Sequence, residues 1–210
     1  MGVRVVLVAR AQESRWLQYE RSPHELLPAL RELYQALAGD DDHASALAAA
    51  TLSFTLYQLG ENEEALAAAQ RGVRIAEGCG DHAELVHALA QEGSALDELQ
   101  RPDDAIAAYH RALDVAIKHA PRLLAILWDN VSISFASVGH YAEAAGAARE
   151  AIAAAERASE RVADRWARLR AGDPGHRLTH GAGSHRSVPN KTLVTVRSPS
   201  RAGRFASAAG

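Results

Sequence analysis

Gly60-Glu61-Asn62-Glu63-Glu64-Ala65-Leu66, Gln100-Arg101-Pro102-Asp103-Asp104-Ala105-Ile106 and Gly139-His140-Tyr141-Ala142-Glu143-Ala144-Ala145 restate one pattern, with Ala65, Ala105 and Ala144 at the same place in each. In each copy a turn opens an alanine-rich helix whose first turn is acidic, where carboxylates complement the positive end of the helix dipole. Another amphipathic helix precedes each turn. The repeating unit is therefore a helix pair, and such pairs must stack on their neighbours to bury their apolar faces. The fold expected is all-α: a solenoid of antiparallel helix pairs without strands, with function on an extended surface rather than in a catalytic cleft.

Residues inside the units carry a family resemblance. Trp128-x-x-Val131-Ser132-x-x-Phe135 in the third unit, with Ala144 opening its second helix, resembles the tetratricopeptide pattern W-x-x-L-G-x-x-Y followed by A-x-x-x-F. The second unit has Leu89, Gly93 and Leu96, then Ala105 and Tyr109. The first has Ala49, Leu52, Ser53 and Leu56, then Ala65 and Ala69. Small residues fall where paired helices approach and larger apolar ones where they interlock. The spacing from Ala65 to Ala105 to Ala144 is longer than the period usual for the family. Only Gly93 meets the first-helix glycine, and Pro121 is a displaced counterpart of the closing proline. The resemblance covers about residues 43–160 and implies a right-handed superhelix in which Trp128 is a large buried aromatic.

The chain divides into a degenerate N-terminal repeat or cap (1–42), helical repeats (43–170, with units at about 43–80, 81–120 and 121–168) and a tail (171–210). Ser22 as cap and Pro23 as first residue start a helix running to about Ala38. Ser22-Pro23-His24-Glu25-Leu26 lies over Pro102-Asp103-Asp104-Ala105-Ile106 without a gap, and the same register places Trp16 opposite Leu96. Further helices are expected near 43–59, 62–77, 82–98, 102–119, 121–138 and 141–168. Beyond Gly172-Asp173-Pro174-Gly175 the sequence is rich in Gly, Ser, Pro, His and Arg without helical periodicity, and the expectation is disorder.

Composition narrows the function classes. Hydrophobic residues make up 48%, with only three Phe, three Trp and five Tyr, so the interior is built from Ala, Leu, Val and Ile. A single cysteine, Cys79, excludes an internal disulfide framework and suits a reducing compartment. The run Val5-Val6-Leu7-Val8 is too short to span a membrane. A cytoplasmic location follows as the expectation, and twenty-one Arg against two Lys points to a GC-rich bacterial coding sequence. Charge is split: residues 1–164 carry 14 basic and 25 acidic side chains, net −11, whereas 165–210 carry 9 and 1, net +8. A basic tail of this kind is an unselected, GC-rich extension or, alternatively, suits nucleic acid, a membrane surface or the protein's own acidic body; the repeats themselves give no nucleic-acid signal.

No motif for chemistry is present. Gly78-Cys79-Gly80 lacks the Lys-Ser/Thr of a phosphate loop. His82 and His87 are five residues apart, away from a shared helix face, and no His-Glu-x-x-His occurs. Glu63-Glu64 and Asp103-Asp104 recur in the same first turn and read as dipole complements rather than catalytic pairs. The chain reads as non-enzymatic, with no cofactor and no metal. What the resemblance implies is a groove lined by first helices, and the residues facing it are Phe54 and Tyr57, with Ala50 and Thr51 beside them; His87, Gln91, Ser94 and Asp97; and Asp129, Asn130 and Ile133. These mix aromatic, amide and acidic groups without Lys or Arg. The implied partner is a protein or peptide, neutral or basic. Two function classes remain open: a stand-alone adaptor, and a sensor array like the tetratricopeptide region of large bacterial ATPase-type transcriptional regulators.

Overall fold

A computed structural model describes the backbone of residues 2–170 and the side chains of 5–162; the expectation of a disordered tail at 171–210 lies outside the described residues. Among the described residues eight α-helices follow in order: α1 (Gly2–Leu17), α2 (Pro23–Ala36), α3 (His43–Leu59), α4 (Asn62–Cys79), α5 (His82–Glu98), α6 (Pro102–His119), α7 (Leu124–Ser137) and α8 (Tyr141–Arg170). No strand occurs among them. The helix expected over 121–138 is divided: Pro121–Leu123 form a 3-10 turn, and α7 starts after it. Pro121 lacks the N–H that would continue the α6 ladder, which ends at Ala120.

The recurrence is visible as repeated turn geometry. Between the two helices of each pair, Gly60, Gln100 and Gly139 occupy the left-handed region at φ 79°, 61° and 84°. The following amide closes back on the first helix in all three, Glu61 to the Leu56 carbonyl, Arg101 to Leu96 and His140 to Phe135. This bond satisfies carbonyls that a helix end otherwise leaves orphaned. Ser22, Asp42 and Asp81 cap α2, α3 and α5 by accepting from the amides of Glu25, Ser45 and Glu84. Glu64 and Asp104, in the first turns of α4 and α6, pair with Arg31 and Arg101.

One core position shows how the units interlock. Ser53, Gly93 and Ser132 share a place on the three first helices, and Ala69, Tyr109 and Ala148 share one on the second helices. In units one and three the serine hydroxyl donates to the carbonyl of Ala65 or Ala144 at 2.8 and 2.9 Å. In unit two the Tyr109 ring fills that space, and only glycine leaves room. A Cβ on Gly93 would sit 2.5–2.8 Å from three ring atoms.

Two expectations change. The N-terminal segment superposes on unit two one residue away from the expected register: buried Leu26, Leu30, Leu33 and Leu37 match buried Ala105, Tyr109, Ala112 and Ala116. One residue is about 100° on a helix, so Leu17, which packs on the core, takes the place opposite Leu96, and Trp16 is 73% exposed. Trp128 is half-buried rather than buried. Its slot holds Ala49 and Leu89 in the other units; the larger indole overfills it and emerges edge-on against His110.

Candidate functional site

Successive first helices pack backbone to backbone, α1 on α3, α3 on α5 and, less closely, α5 on α7, whereas successive second helices meet through long side chains, Arg31 with Glu64 and Arg111 with Glu77. The array therefore curves with its first helices on the inner side. Along that side α3 is enclosed by α1, α2, α4 and α5. Its small residues Ala44 through Ser53 are all buried, including Ala50 and Thr51, which the sequence places in the groove. Phe54 and Tyr57 are half-buried, Tyr57 against the cluster that holds Leu26, Leu30, Leu52, Leu56 and Ala95. Burial, then the Glu98 and Asp97 carboxylates, push the Tyr57 phenol above its ordinary value.

The expected groove residues divide into two sets. Ser94 and Asp97 belong to the packing. Asp97 Oδ2 accepts from the Tyr109 hydroxyl at 3.3 Å and from Ser134 Oγ at 2.7 Å, and Ser94 Oγ lies 3.2 Å from the same tyrosine hydroxyl. This network joins α5, α6 and α7, and Ser134 is fully buried within it. The Asp97 carboxylate therefore acts as an internal clamp between α5, α6 and α7. His87, Gln91 and Asn130 are half-buried, while Asp129 and Ile133 are exposed. Gln91 and Asn130 hold equivalent places on α5 and α7, so their amides line one strip.

The inner surface also carries cations that no local pattern reveals. Arg15, at the end of α1, sends Nη2 to Glu84 Oε2 on α5 at 2.6 Å and Nε to Thr51 Oγ1 on α3 at 3.3 Å. Thr51 Oγ1 in turn donates to the Leu47 carbonyl. These partners are far from Arg15 in sequence, beyond the reach of any periodicity. Arg15 lies outside the three units' named positions, which carry no Lys or Arg. Burial, with Arg15 and then Arg122 nearby, lowers the His87 imidazole to about 4, against a smaller opposing pull from Asp81.

That shift sets a pH dependence. The unfolded chain takes up a proton on this histidine near its ordinary value of 6.5, whereas the folded protein holds it neutral down to about 4. Stability is complete above pH 6.5 and falls as pH drops towards 4, by about 2–3 kcal/mol for this group. From urea titrations, the stability of His87→Leu relative to wild type is expected to rise by this amount as pH falls across that window. Parallel curves would refute the assignment.

At the far end α7 is apolar nearly all round, as α3 is, yet α5 and α7 meet much less closely than α3 and α5. Ile126 and Ile133 remain 49% and 51% exposed, seven residues apart with Asp129 and Asn130 between them. Ile126 occupies the place equivalent to His87. Among the described residues no group of three His, Cys, Asp or Glu could hold a metal ion, and no helix is long and apolar enough to cross a membrane.

No family model matches the chain, and no curated protein matches it. Solved structures do. MamA is 18% identical, with 73% of this chain covering 81% of that one at a TM-score of 0.56. The apo form of RapI is 15% identical, with coverages of 70% and 55% and a TM-score of 0.61. Aspartyl phosphate phosphatase F from Bacillus subtilis is 15% identical, with coverages of 72% and 42% and a TM-score of 0.62. The chain thus spans about half or less of the last two proteins. What it shares with all three is the fold, a tetratricopeptide-like solenoid of helix pairs.

Proposed function

We propose that the chain is a non-catalytic scaffold that binds a peptide or protein segment along the inner face of α5 and α7. One observation carries this reading. A helix apolar on all sides is normally enclosed, as α3 is, but α7 leaves Ile126 and Ile133 half-exposed on the concave side of the array. Two apolar anchors one heptad apart, with the Asn130 and Gln91 amides between and beside them, suit an extended or helical segment with apolar side chains at matching spacing. Exposed Asp129 between the anchors favours a neutral or basic ligand. Asp97 and Ser94, being committed to Tyr109 and Ser134, are outside the site.

A phage-displayed random peptide library panned on the full chain tests this. Selected peptides are expected to carry spaced apolar residues flanked by Lys or Arg, and the joint change Ile126→Asp and Ile133→Asp is expected to weaken them by about 2 kcal/mol or more. Glu63→Ala, at a helix start, is expected to leave binding intact. Peptides that bind wild type and the isoleucine variant equally would place the site elsewhere.

A further inference from the structure

The second helices carry a register that exposes a separate surface, distinct from the inner face. On α4, Gly72, Val73 and Ala76 form the side on which α5 packs; a Cβ on Gly72 would lie 3.3 Å from Ala88 Cβ of α5. At the equivalent place on α6, Ala112, Leu113 and Ala116 share a cluster with Leu127 and Val131 of α7. The equivalents on α8 are Ala151, Ile152 and Ala155. Val73 and Leu113 are 5% and 3% exposed, whereas Ile152 is 61% exposed. Ile152, Ala155, Glu156, Ser159 and Glu160 line a shallow groove there. Among the described residues nothing covers the face that twice before receives a helix. α8 is also longer, with 30 residues against 18 in α4 and in α6.

Charge decides what fits. Arg149 lies one turn before Ile152 and Glu156 one turn after it, on the same flank and both exposed. An acidic helix laid here would meet Glu156, and a basic one would meet Arg149. A second α8 running antiparallel meets neither conflict: about a twofold axis near Ile152 and Ala155, Arg149 of each copy faces Glu156 of the other. Ala145, Ala155 and Ser159, all exposed, allow the two helices to approach closely. A twofold contact of this kind is isologous, with one patch serving both subunits. We infer that the chain forms a homodimer through antiparallel packing of α8 on α8, centred on Ile152 and Ala155 and set in register by the Arg149 and Glu156 pairs.

Sedimentation equilibrium of the full chain is expected to show a dimer. Ile152→Arg, at an exposed position, is expected to keep the helical circular-dichroism signal and raise the dimer dissociation constant by about a hundredfold, since an isoleucine is lost from both halves of the contact. Arg149→Glu and Glu156→Arg should each weaken self-association by about tenfold through like-charge contacts. Mixed together, these two variants are expected to form a heterodimer tighter than either homodimer, because both pairs are then opposite in sign. Loss in each single variant with recovery on mixing to about the wild-type constant marks the antiparallel register, because in a parallel one Arg149 and Glu156 would each face their own kind, the single variants would match wild type and the mixture would exceed it. A monomeric wild-type chain, a dimer indifferent to Ile152→Arg, or charge variants that ignore each other on mixing would each overturn the inference.

Discussion

Gly93→Ser and Tyr109→Ala are each expected to destabilise the protein, and the double variant is expected to lose less than the sum of the two. Tyr109 is among the largest fully buried side chains, so its truncation leaves a cavity and should cost about 3–5 kcal/mol. Adding a side chain at Gly93 drives Cβ to within 2.5 Å of that ring. The ring cannot swing aside easily, because its hydroxyl bonds Asp97 and lies within hydrogen-bond distance of Ser94. The small gain in helix propensity on replacing glycine, about 0.5 kcal/mol, is therefore outweighed by overpacking of about 2–3 kcal/mol. Together the two changes install the Ser and Ala pair that units one and three already use, with a hydroxyl placed to donate to the Ala105 carbonyl as Ser53 donates to Ala65. A coupling of about 1–2 kcal/mol in favour of the double variant should appear in a urea-denaturation cycle. Strict additivity would show that the register equating these positions is wrong.

This pairing also shows why so much of the fold was legible. Recurrence of one unit samples one geometry three times, so the turn at Gly60, Gln100 and Gly139 and the bounds of α3 to α6 could be read from any copy against the others. Glycine is needed at two of the three turn positions only in the sense that φ is positive; Gln100 adopts the same conformation at some cost. The N-terminal segment was harder. Its apolar run Val5 to Val8 and exposed Trp16 say little about register, and the distinction between the two superpositions rests on whether Leu17 or Trp16 turns inward, a matter of about 100° around a helix.

The candidate site was legible as a face but not as a set of free side chains. Helical spacing assigns Phe54, Tyr57, His87, Gln91, Ser94, Asp97, Asp129, Asn130 and Ile133 to one side of the first helices, and their burial ranges from Ser94 and Asp97 bonded within the packing to exposed Asp129 and Ile133. Whether a residue on that face is available depends on how closely consecutive units approach, and this is a tertiary quantity. α3 and α5 press together with α1 laid alongside, which buries Ala50 and Thr51; α5 and α7 diverge after the Pro121 turn, which leaves Ile126 and Ile133 open. Asp97 is consumed by Ser134, one helix pair further along the chain. No periodic pattern in one helix reports such a bond. Ile126 holds the place of Leu47 and His87 in the other units, and its greater exposure reflects the wider spacing of α5 and α7 rather than anything in the α7 pattern.

Arg15→Ala is expected to cost about 3 kcal/mol and to release α1 from the rest of the array. The Glu84 carboxylate is 6% exposed and receives Arg15 at 2.6 Å, so removing the guanidinium leaves a buried charge supported mainly by the N-terminus of α5, in whose first turn it lies. Breaking one side of a buried pair usually costs about 3–5 kcal/mol, and the partial exposure of Arg15 moves the expectation to the lower end. Arg15→Lys should recover only part of the loss, because an ammonium cannot reach both Glu84 and the Thr51 hydroxyl as the planar guanidinium does. Replacing both partners, Arg15→Met with Glu84→Leu, removes the uncompensated charge and should return stability to within about 1 kcal/mol of wild type. Hydrogen exchange separates this from general weakening. In Arg15→Ala the α1 amides should exchange by local opening well before those of α4 to α6, since among the described residues α1 is held by Leu7, Val8, Ala11 and Leu17 together with the pair of Arg15 and Glu84. Uniform acceleration across all helices, or a loss below about 1 kcal/mol in Arg15→Ala, would show that the pair does not fasten α1 to α5.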